Sequence, residues 1–93
     1  MGHKEENMAN LGIYKIEAND DYKSIETETG ETFTTGTTYT MQLLKPAVIC
    51  EASSKPTDGG FLIDTTQPFQ YTAGSDTLYI KTEGLFTLLN IAE

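Results

Sequence analysis

Thr37-Thr38-Tyr39-Thr40-Met41-Gln42-Leu43-Leu44-Lys45-Pro46-Ala47-Val48-Ile49-Cys50-Glu51-Ala52 is the stretch that decides the fold class. Side chains of a strand point alternately to its two faces, so Tyr39, Met41 and Leu43 share one face and Thr38, Thr40 and Gln42 the other. This is the pattern of a half-buried strand, and Pro46, with no N–H to give to a ladder, stops it. Ala47 to Ala52 is apolar on both faces as far as Glu51, as expected of a strand in the middle of a sheet.

The same signals continue toward the C terminus. Pro56, Asp58, Gly59 and Gly60 make a reversal before Phe61-Leu62-Ile63, and Gln67-Pro68 breaks the chain again before Phe69-Gln70-Tyr71-Thr72. After the turn at Ala73 to Asp76, Thr77 to Thr82 places Leu78 and Ile80 inward. Glu83-Gly84 turns once more, and Phe86 to Ala92 closes the domain with apolar residues on both faces, which leaves its register open. Toward the N terminus the pattern weakens. Leu11 to Glu17 and Tyr22 to Thr29 read as polar strands joined by the turn Asn19-Asp20-Asp21, and Gly30 and Gly36 make the Thr-rich tract from Thr27 to Thr40 a loose edge strand or loop. Threonine restricts χ1 in a helix, and no window of helical apolar period interrupts the run. The expected fold is all-β: a small antiparallel β-sandwich or partly closed barrel of about seven short strands, because one flat sheet would expose an apolar face and two edges.

At 93 residues and 10.2 kDa there is room for one domain. We place it at residues 11–93, after a flexible N-terminal arm at residues 1–10, in which Met8-Ala9-Asn10 is a candidate for the native start of the chain. The hydrophobic share of 38% is low, yet five Tyr and four Phe are too many for a solvated, disordered polymer, so the core is thin and contacts with partners are expected to add to it. Cys50 has no second cysteine to pair with and reads as a small buried hydrophobe. His3-Lys4-Glu5-Glu6-Asn7 is charged where a secretory leader would be apolar, which points to a cytoplasmic place of synthesis.

The charge balance is 14 acidic against 6 basic residues, all six of them Lys, for a net −8. Six scattered lysines and no Arg argue against a nucleic-acid partner, since phosphate tracking needs clustered cations and base readout leans on the guanidinium fork. The longest apolar run, Ala47 to Cys50, is far shorter than the roughly 20 residues of a membrane span, and no membrane partner is expected. The net charge splits evenly, −4 in each half of the chain, as for a self-repelling soluble surface and unlike a phosphate mimic concentrated on one face.

Catalysis is disfavoured for want of players. His3 is the only imidazole, which removes triads and sites built on several His. Asp20-Asp21, or Asp58 with Asp64, would be the paired carboxylates of a glycosidase, but acids in turns are ordinarily solvated. Asp20, Asp21, Asp58 and Asp76 lack the spacing of a calcium cage, and Gly59-Gly60 lacks the strand-to-helix context and the Lys of a phosphate loop, so no metal and no cofactor is expected. The residues singled out for binding are Tyr14, Tyr22 and Tyr79. On outward faces they would stack sugars or meet another subunit; turned inward, they would seal the rim of a small core.

The order of Thr37 to Gln42, Ala47 to Ala52, Pro56-Thr57-Asp58-Gly59-Gly60-Phe61 and Gly74-Ser75-Asp76-Thr77-Leu78-Tyr79-Ile80-Lys81-Thr82 resembles the small β-sandwich accessory proteins of tailed-phage virions, the decoration and head-fibre-base modules. Tyr79 and Lys81 stand where Trp and Arg are frequent in those proteins. The resemblance implies a non-enzymatic structural protein located on the virion, which binds the major capsid or tail protein in many copies and self-associates as a homo-oligomer, often a trimer. Two other classes stay open: a small acidic inhibitor or anti-defence protein that occludes a host enzyme, and a carbohydrate-binding β module, which needs coplanar exposed rings among Tyr14, Tyr22, Tyr71 and Tyr79.

Overall fold

In a computed structural model, which describes residues 10–82 and 84–93, the alternation around Tyr39 becomes strand β3 (Thr38–Leu43), with Tyr39, Met41 and Leu43 buried. Its neighbours are β8 (Thr87–Ala92), paired antiparallel with Met41 opposite Ile91, and β6 (Phe69–Thr72), paired with Met41 opposite Phe69. Strand β1 (Asn10–Ile16) lies on the far side of β8, giving a first sheet in the order β1-β8-β3-β6. The second sheet is built from β2 (Lys23–Ser24), β4 (Ala47–Ala52), β5 (Phe61–Ile63) and β7 (Thr77–Lys81), in the order β2-β7-β4-β5. All pairings are antiparallel, and neither sheet closes into a barrel. The fold is a small all-β sandwich of four strands on four.

The core lies between the sheets. Ile16, Met41, Leu43, Leu89 and Ile91 of the first sheet face Ala47, Leu78 and Ile80 of the second, all but fully shielded from water. Strand β4 is flanked on both sides, by β7 and β5, as its two apolar faces require. The open register of the last strand resolves with Thr87, Leu89 and Ile91 inward and Leu88, Asn90 and Ala92 half-buried on the other face.

Three expectations change. Tyr22 to Thr29 is not one strand: after two residues of β2 the chain enters a short helix, α1 (Ile25–Thr29). Ser24 caps it by accepting the Thr27 N–H at 3.3 Å, and Gly30 ends it at φ 79°, where a side chain would be strained. The helix plugs one end of the core with Ile25, 1% exposed. Asn10, assigned to the arm, belongs to β1 opposite Ala92; the rest of that arm, residues 1–9, and Glu83 of the last turn lie outside the described residues. Cys50 is half-buried rather than buried.

Candidate attachment surface

Because Thr87, Leu89 and Ile91 take the inner face of β8, the alternation drives Leu88 outward, and Phe86 just before the strand is left 37% exposed. Leu88 lies opposite Lys15 of β1, and Ile13 is two residues earlier on the same outer face. On the other side of β8, the Leu44 N–H donates to the Leu88 carbonyl at 3.0 Å, one residue past the end of β3. The outer face of the first sheet thus carries Ile13, Leu44 and Phe86, and exposed Leu85 precedes Phe86 in the turn before β8; these are four of the six large apolar side chains exposed among the described residues. Further along, the face turns polar with Thr38, Thr40, Gln42, Gln70 and Thr72, and the Thr38 and Thr72 hydroxyls hydrogen-bond at 2.8 Å.

Two cations complete the apolar end. Lys15 Nζ lies 5.0 Å and Lys45 Nζ 5.3 Å from the centre of the Phe86 ring, within the range where an ammonium is attracted to an aromatic face. Lys45 is held there by its backbone: the buried Thr87 hydroxyl accepts the Lys45 N–H at 3.0 Å and donates to the Lys45 carbonyl at 2.7 Å. The other described lysines are elsewhere. Lys55 pairs with Asp21 at 2.6 Å, Lys81 sits 5.0 Å over the Tyr22 ring, and Lys23 belongs to β2. In a chain of net charge −8, this end of the sheet is apolar and flanked by two lysines, of which Lys15 also pairs with Glu17 at 3.9 Å.

The three tyrosines proposed for binding are not brought together. Tyr14 turns inward opposite Leu89 and packs against the core, with its hydroxyl donating to the Glu31 carboxylate. That hydrogen bond to an acid, with the acid's negative charge, raises the Tyr14 pKa. Tyr22 is only 2% exposed: it lies outside the main core, with its hydroxyl donating to the Gly59 carbonyl and Lys81 across its ring. Of the two roles weighed for these rings, both take the rim-sealing one and not the outward-facing one, because each hydroxyl finds an acceptor at the sandwich rim while the ring covers apolar surface. Tyr79 alone points to an outer face, that of the second sheet, half-buried opposite Cys50. Tyr71, the fourth ring, faces inward from β6, donates to Glu51 Oε2 at 3.3 Å and meets the Phe33 ring edge-on at 6.0 Å. Four rings so distributed form no flat stacking platform.

The sequence did carry a sign of the apolar end. Leu43-Leu44 and Leu88-Leu89 each put two large apolar residues side by side in or at the end of a strand, and of two such neighbours one must face away from the core. Among the described residues, no three His, Cys, Asp or Glu side chains gather where they could hold a metal ion. Compared with known protein families, with curated proteins and with solved structures, the chain matches none.

Proposed function

We propose that this chain is a non-enzymatic attachment protein: a small rigid sandwich that docks in many copies on the shell or tail of a virus particle, in the manner of the tailed-phage accessory proteins its C-terminal half resembles. The observation that carries the reading is the outer face at Ile13, Leu44 and Phe86, with Leu85 exposed in the adjoining turn and Lys15 and Lys45 set over the Phe86 ring. Exposed apolar residues gathered at one place and rimmed by charge mark a protein-binding surface, and the positive rim selects a partner whose contact surface is apolar and acidic. The face rests on paired strands, so little order has to be gained on docking. Repetition on a regular shell converts a modest contact into firm retention.

The test is mass spectrometry of purified particles of the virus that encodes the chain. The proposal expects the protein in a copy number that scales with the major shell or tail protein. Its absence from the particles, with the protein present in infected cells, would refute the reading and favour the inhibitor class.

A further inference from the structure

We infer that β5 is a homotypic docking edge, on which the β5 of a second copy adds antiparallel about a two-fold axis through Leu62. The edge is unlike the other three. Strand β1 carries an irregularity between Asn10 and Gly12, β2 is two residues long and runs into α1, and the outward positions of β6 are Gln70 and Thr72. Each is a device that discourages another strand from pairing. Strand β5, at three residues, is also short, but it has no bulge, runs into no helix and has no polar outward position: Phe61, 77% exposed, and Leu62, 61% exposed, point to opposite faces of an edge with no charged residue in it. Apolar side chains on both faces are the pattern of an interior strand, and within one copy β5 has a neighbour on one side only.

A second copy fits by register and by charge. Pairing centred on Leu62 sets Leu62 against Leu62 on the outer face and Phe61 against Ile63 on the inner face, so apolar meets apolar at each position. The flanking acids avoid one another, since Asp64 falls opposite Gly60 and Asp58 opposite Thr66. Beside β5 the two sheets part around an open cleft of about 190 Å³, lined by Ile49, Cys50, Glu51, Phe61, Tyr71 and Leu78. The incoming Phe61 continues the same inner face and covers the mouth of that cleft. Joining one edge to its own copy gives a closed pair, whereas joining it to any other edge would pair apolar with polar and leave chains free to grow. The symmetry is two-fold, in place of the trimer implied by the phage resemblance. The inference holds whatever the outer face of the first sheet binds, and a paired molecule would present two such faces to a shell.

A three-residue ladder buries little area, and two copies of charge −8 repel, so the pair is weak and salt-sensitive. Sedimentation equilibrium of the full chain tests it. The wild type is expected to pass from monomer to dimer with rising concentration, more readily at about 0.5 M than at about 0.02 M salt. Leu62→Lys puts two ammonium groups on the axis and is expected to weaken the pair at least about a hundredfold. In a Cys50→Ser background, Leu62→Cys is expected to crosslink on mild oxidation much faster than Leu85→Cys, a readout that fixes the register. A wild type that stays monomeric at every concentration, a dimer indifferent to Leu62→Lys, or equal crosslinking at both positions would each overturn the inference.

Discussion

The Thr87 hydroxyl, fully buried at the start of β8, is bonded to both backbone polar groups of Lys45, accepting from its N–H at 3.0 Å and donating to its carbonyl at 2.7 Å. A polar residue in the core is thereby satisfied, and the turn between β3 and β4 is tied to β8 at the place where the lysine must stand over Phe86. Thr87→Val keeps the shape and removes the hydroxyl, taking a partner from the part-buried N–H and carbonyl of Lys45. It is expected to cost about 1–3 kcal/mol of stability, read by denaturant unfolding. Lys45→Ala keeps the backbone bonds and should cost less than about 0.5 kcal/mol. Equal losses in the two variants would show that the Lys45 side chain, not its backbone, is what Thr87 serves.

Gly60 is required by both conformation and space. Its φ is +98°, and a Cβ there would lie 2.5 Å from the Ile49 carbonyl oxygen, with the Tyr22 hydroxyl 3.0 Å away. Gly36, at φ +90°, has nothing within 4 Å of the same position. Gly36→Ala is therefore expected to cost about 1–2 kcal/mol from backbone strain alone. Gly60→Ala adds a clash with sheet backbone and should reach roughly 3 kcal/mol or more. Thermal melts of the pair decide it, and comparable melting temperatures would mean that the 59–60 turn is not pressed onto β4.

Tyr71 makes stability sensitive to high pH. Burial, then the Glu51 charge and its hydrogen bond, push the phenol from 10.0 up to about 12. A group whose folded pKa is raised contributes fully below its unfolded pKa and loses that contribution as pH climbs through the folded value, so the decline falls between 10.0 and about 12. Unfolding measured across that window should show a loss of stability that shrinks in Tyr71→Phe. An identical alkaline slope in wild type and variant would contradict the placement of Tyr71 beside Glu51.

The sandwich was legible where one face of a strand is plainly apolar. Tyr39, Met41 and Leu43 lie inward as the alternation requires, and so do Leu78 and Ile80. Helix α1 was not, since five residues are too few to display an apolar period, although Ser24 and Gly30 bracket it with the residues that caps need. The apolar end of the outer face was hidden for a different reason. Hydrophobicity alone would bury Phe86 and expose Thr87, but Leu89 and Ile91 outweigh Phe86 in setting the register, and Lys45 supplies the buried hydroxyl with partners. The tyrosines drew attention as amphipathic rings, yet Tyr14 and Tyr22 spend their hydroxyls on Glu31 and on the Gly59 carbonyl.

The most direct test of attachment is cosedimentation of the purified protein with virus particles stripped of it, comparing wild type with Leu85→Ser combined with Lys45→Glu. Leu85 is 63% exposed and Lys45 is exposed, with only its ammonium over Phe86, and the backbone bonds of Lys45 to Thr87 are kept, so the double variant should melt close to the wild type. The account predicts saturable binding by the wild type and a loss of about tenfold or more in affinity for the variant. Wild-type binding that the variant matches, or no binding by either, would contradict attachment through this face.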